Sequence, residues 1–77
     1  MKKTSSIIKA GQTVGQNIRY LRNARQLTQM QFAEKIGIHF RYLQKIELDG
    51  ANASFAILFQ MRRVLDCSWN DLFKGTF

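Results

Sequence analysis

His39, Phe40, Arg41, Gln44 and Lys45 put several kinds of recognition chemistry into one short stretch. Arginine presents a planar fork that pairs with guanine O6 and N7, and lysine donates to the same atoms as a point charge. Glutamine sets a donor beside an acceptor, which suits the adenine edge, and phenylalanine can rest on a thymine methyl. The bland alternative is a solvated helix face with ordinary charges. What surrounds these residues decides between the two readings.

Two short helices joined by a tight turn must position such a face. The first is expected to start after Thr28, which with Gln31 matches a capping box, and it carries Met30, Phe32, Ala33 and Ile36 as apolar members. Ala33 is small enough for close helix approach. Gly37 can take the positive φ that the turn requires. Ile38 plugs the corner, His39 stands at the next cap, and Leu43 and Ile46 seat the second helix on the first. Tyr42 covers the edge. The outer side of that helix is then free, and its N-terminal end can enter a major groove.

The rest of the chain reads as support. No stretch alternates with period two, so the fold class is all-α with five helices. Residues 1–12 are polar and basic and are expected to form a flexible arm, with residues 13–77 as the folded domain. A first helix runs from about Val14 to Arg25, with Thr13 and Gln16 as its capping box and Ile18, Leu21 and Ala24 on its apolar stripe. Asp49 to Asn52 form a loop. Ser54 caps a fourth helix whose stripe is Phe55, Leu58, Met61 and Leu65. Ser68 and Asp71 cap a short final helix holding Trp69, Leu72 and Phe73.

Composition narrows the function. The chain of 77 residues has room for one domain, and 12 Lys and Arg against 5 Asp and Glu give it a net charge of +7. That balance favours a polyanionic partner. Cys67 is the only cysteine, so no intramolecular disulfide can form and no cysteine cluster can hold a metal; a buried reduced thiol is expected. His39 is the only histidine and has no catalytic partners nearby, so no enzyme constellation is assembled. No cofactor or small-molecule effector is indicated. No segment reaches the length of a membrane span, and Ile7-Ile8 is too short for a signal peptide; a cytoplasmic location is expected.

The chain resembles the lambda-repressor-like, or XRE-type, helix-turn-helix family. The resemblance covers about residues 13–74 and is carried by IRYLRNARQLTQ, FAEKIGI, YLQKIE and LDCSWNDLF. It implies a transcriptional regulator that binds double-stranded DNA. It places base contacts at His39, Phe40, Arg41, Gln44 and Lys45, and backbone contacts at Gln29 and Asn52. A helix N-terminus such as that at Gln29 attracts phosphate oxygens, and such contacts position the protein without reading sequence. Within the family, IHFRYLQKIELDGANAS is similar to controller proteins of restriction–modification systems through Tyr42, Glu47, Asn52 and Ser54. Two positions depart from the family pattern. Many relatives have a polar residue at position 40 that braces the glutamine of the preceding helix, which Phe40 cannot do. Many also carry Arg or Asn after the glutamate, where this chain has Leu48-Asp49, and an acidic Asp49 is unfavourable beside phosphate.

Phe59 lies off the main stripe of the fourth helix. With Leu72, Phe73 and Phe77 it is expected to form an exposed apolar patch, and such patches mark interfaces. A two-fold homodimer through the last two helices follows, binding an inverted-repeat operator with the recognition helices about one DNA turn apart. Lys2, Lys3 and Lys9 either follow the DNA backbone, enter a minor groove or serve as a solubilising tail. The rival reading is an antitoxin of a toxin–antitoxin pair, which keeps this fold and uses the C-terminal aromatic surface for a partner protein.

Overall fold

The structure is a computed structural model and describes residues 2–76, with side-chain surroundings from Ile8 onward. Helices α1 (Lys2–Ala24), α2 (Gln29–Ile36), α3 (Phe40–Leu48), α4 (Phe55–Leu65) and α5 (Trp69–Leu72) are joined by short loops, one holding a 3-10 turn at Gly50–Asn52. The fold is all-α with five helices and no strand among the described residues. Helix α1 packs against α3, the 3-10 turn and α5, while α2 lies against α3 and α4. Ile18, Phe32, Leu43, Ile46, Met61, Leu65 and Leu72 are fully buried where these elements meet.

Most helix boundaries follow from local chemistry. Thr28 and Ser68 each form a reciprocal capping box, with Gln31 and Asp71, and Ser54 accepts from the Ile57 amide. Gly37 stops α2 at φ 89°, a left-handed conformation that strains any residue with a Cβ. The hydrogen bonds that the Asp71 carboxylate receives from Ser68 hold its pKa below the usual carboxylate range.

Helix α1 begins well before the expected Val14. No proline interrupts the segment, and the Thr13 hydroxyl donates to Lys9 O at 2.9 Å inside the helix, a back-bond to the preceding turn. The Thr13–Gln16 pair is therefore a mid-helix pattern and not a start. Gly11 is buried, and a Cβ there would collide with Asp49 Oδ1. One turn on, a Cβ at Gly15 would sit 2.5 Å from Glu47 O and 2.6 Å from Ile46 O. Helix α1 thus crosses the C-terminal end of α3 in backbone contact, and this is what brings Arg22 over Glu47.

Three residues placed on apolar stripes lie outside, Ala24 at the end of α1 among them. Met30 is 67 % exposed, because it stands about 200° around α2 from buried Phe32. Phe55 is 72 % exposed; at the first turn of α4 it points past the core and stacks on Trp69, with ring centroids 5.5 Å apart.

Candidate nucleic-acid interface

Helix α3 presents Arg41, Gln44, Lys45 and Leu48 to solvent and buries Leu43, Ile46 and Glu47. His39 caps it: Nδ1 accepts from the Arg41 amide at 3.0 Å. That bond leaves Nε2 as the remaining polar position of the ring. Phe40 is half-buried and lines the groove between α2 and α3 with Met30, Glu34, Ile38 and His39. It is the least available of the five candidate base-reading residues.

The C-terminal half of α3 is fixed from below. Arg22 Nε donates to Glu47 Oε2 at 2.6 Å and Arg22 Nη2 to Glu47 Oε1 at 3.1 Å, with side chains only 8 % and 4 % exposed. Arg22 Nη1 also donates to Leu27 O at 2.7 Å, closing the end of α1. Helical spacing gives no sign of this pair, because a residue that pairs 25 positions away leaves no local signal. Gln29, at the start of α2, donates from Nε2 to Glu47 Oε1 at 3.0 Å, and Gln44 Nε2 approaches Gln29 Oε1 at 3.5 Å. The brace that Phe40 cannot provide therefore comes from Glu47 and Gln44. Arg19, Gln29, Gln44, Glu47 and Leu48 line one shallow concavity. Sequence reasoning missed Arg19, which joins this surface only through the crossing of α1 over α3.

Asp49 and Asn52 are occupied within their own loop. Asp49 Oδ1 accepts from the Ala51 amide at 3.0 Å, Asn52 Nδ2 donates to Asp49 O at 3.3 Å, and the Tyr42 hydroxyl donates to Asn52 O at 2.9 Å. The carboxylate is turned into the 3-10 turn as its cap. Asn52 itself remains exposed.

The expected apolar patch changes membership. Leu72 is 0 % exposed and belongs to the core, because its place in α5 faces α1; it is removed from the interface. Phe77 lies outside the described residues. Phe59 and Phe73 do reach the surface, joined by Phe55 and Trp69 in a row of rings with centroids 5.5–6.4 Å apart. The Arg62 guanidinium lies 5.6 Å from the Phe59 centroid and 5.3 Å from that of Trp69, within cation–π range. Among the described residues no helix is long and apolar enough to cross a membrane, and no cluster of metal-ligating residues occurs.

A capped helix, a left-handed glycine turn and a second helix with a polar outer face define a helix-turn-helix unit. Residues 18–72 match the helix-turn-helix family profile, and the chain belongs to that family, in its XRE-type, lambda-repressor-like form. It is a domain of the DNA-binding, transcription-regulating kind. Over 46 residues, 60 % of the chain, it is 48 % identical to the immunity repressor protein of Bacillus phage phi105. The match spans about a third, 32 %, of that relative's length. No solved structure matches significantly.

Proposed function

We propose that the chain is a sequence-specific DNA-binding repressor acting as a homodimer on an inverted-repeat operator. The observation that carries this reading is the outer face of α3, where exposed Arg41, Gln44 and Lys45 stand over a polar network rooted in the core. Arg41 and Lys45 are the principal base-reading residues, with Gln44 beside them and His39 and Phe40 at the helix entrance. Gln29, Asn52 and the newly located Arg19 contact phosphate. Likeness to a phage immunity repressor supports repression over activation. Control of a restriction–modification operon rests only on Tyr42, Glu47, Asn52 and Ser54, and three of these have framework work here: Tyr42 holds the loop, Glu47 binds Arg22, and Ser54 caps α4.

Dimerisation is assigned to the α4–α5 surface, through Phe55, Phe59, Trp69 and Phe73. The same surface would serve the antitoxin alternative, and co-purification of a second protein in fixed ratio would favour that reading.

Fluorescence anisotropy on DNA upstream of the protein's own gene, against a scrambled duplex at near-physiological salt, tests the proposal. A preference of about a thousandfold or more is expected. Arg41→Ala should lose most of that preference while keeping non-specific binding. Equal losses on both duplexes would remove Arg41 from the base-reading set.

A further inference from the structure

His39 is the only histidine of the chain, and it caps the helix that carries the outer face. Histidine is not among the preferred caps; serine, threonine, asparagine or aspartate would satisfy the same amide. Its Nδ1 accepts from the Arg41 amide at 3.0 Å, and a ring nitrogen that accepts carries no proton. The single proton of the neutral imidazole therefore sits on Nε2. The cap bond acts on the ring in two ways. It selects the tautomer, and it ties the ring to the backbone of the first turn of α3. His39 is exposed, so what it offers outward is one oriented N–H donor, carried further from the backbone than a serine hydroxyl could reach.

We infer that His39 reads a purine N7 through its Nε2–H, with the tautomer set by its own cap bond, an inference that rests on the DNA-reading assignment above. A fixed donor in the major groove needs an acceptor opposite. Adenine and guanine both present N7 there, whereas cytosine turns its N4 amine toward the donor. N7 is common to the two purines, so His39 asks for a purine and leaves the choice between them open. Thymine O4 is the other acceptor a single donor could meet, and removing N7 alone separates the two.

The test compares wild type and His39→Ser on operator duplexes carrying 7-deazaguanine or 7-deazaadenine at one purine at a time. That replacement exchanges N7 for C–H and leaves base pairing intact. Serine keeps a cap acceptor, so the melting midpoint by circular dichroism should stay within a few degrees of wild type. Wild type should lose about three- to tenfold in affinity at one purine position. His39→Ser, weakened by a similar factor on the natural duplex, should show no further loss there. Purines read by Arg41 or Lys45 should stay equally sensitive in both proteins. Long-range proton–nitrogen NMR on the single imidazole, without DNA and above the ordinary histidine titration range, should show the proton on Nε2. A proton on Nδ1, or an even mixture, would overturn the inference. So would a His39→Ser protein that keeps the wild-type response to every 7-deaza duplex, or one that loses affinity equally on operator and scrambled DNA, the mark of a phosphate contact. A wild type that binds operator and scrambled duplexes equally would overturn the DNA-reading assignment, and this inference with it, whatever the tautomer.

Discussion

Removing the Glu47 carboxylate should come close to unfolding the domain. Glu47→Ala deletes two hydrogen bonds from Arg22 and one from Gln29. It strands a guanidinium whose side chain is 8 % exposed, with only Leu27 O left to it. Breaking a buried pair by removing one partner costs about 3–5 kcal/mol, since the surviving charge stays desolvated. A domain this small has roughly 5–10 kcal/mol in hand, and each kcal/mol is worth about 4–8 °C. The melting midpoint should therefore fall by about 12 °C or more, read by far-UV circular dichroism. Arg22→Met with Glu47→Leu removes both charges and keeps the volume. It should recover most of the loss, leaving about 1 kcal/mol for the lost bond to Leu27 O. A Glu47→Ala midpoint within a few degrees of wild type would refute the reasoning, because the pair would then behave as a solvent-screened surface ion pair.

Gly15→Ala should destabilise by about 1–3 kcal/mol despite alanine's better helix propensity, since the new methyl meets backbone carbonyls of Ile46 and Glu47 that cannot rotate away; urea melting with unchanged or raised stability would disprove the close crossing. Phe59→Glu should convert a dimer to a monomer in sedimentation and weaken operator binding without lowering monomer helicity; an unaltered sedimentation coefficient would move the interface off α4. Burial raises the Cys67 thiol pKa, so alkylation should be slow in the native protein at mildly alkaline pH and fast in urea; equal rates would place the thiol at the surface. Asp71, held low by Ser68, stabilises the α5 cap fully above the ordinary carboxylate pKa and loses that contribution as pH falls through its own depressed value. Trp69 emission should stay flat from neutral pH into the ordinary carboxylate range and change only below it, and a change centred above pH 5 would contradict the cap.

Helix ends were legible in the residues because a cap is a contact within a few positions. Thr28, His39, Ser54 and Ser68 each satisfy an amide in the first turn that follows, and Gly37 answers a backbone need at its own position. The same local logic misled at Thr13, where an identical pattern sits inside a longer helix. Periodicity found Ile18, Leu43, Ile46, Met61 and Leu65 but misplaced Ala24, Met30 and Phe55. Helices of 8 and 11 residues hold too few turns to tell a core stripe from its flank.

The sequence by itself determined the helix-turn-helix unit and the identity of its outward residues, Arg41, Gln44 and Lys45. Those follow from caps, a left-handed turn and helical spacing, all short-range in the chain. Only the tertiary structure decided which polar residues are tied to which. Arg22 meets Glu47, Gln29 meets Gln44, Arg19 joins the concavity lined by Gln29 and Gln44, and Leu72 lies in the core. Each of these depends on α1 crossing α3 at Gly15 or on α5 folding back onto α1. Contacts between residues tens of positions apart leave no imprint on local spacing, so they exist only once the helices have packed.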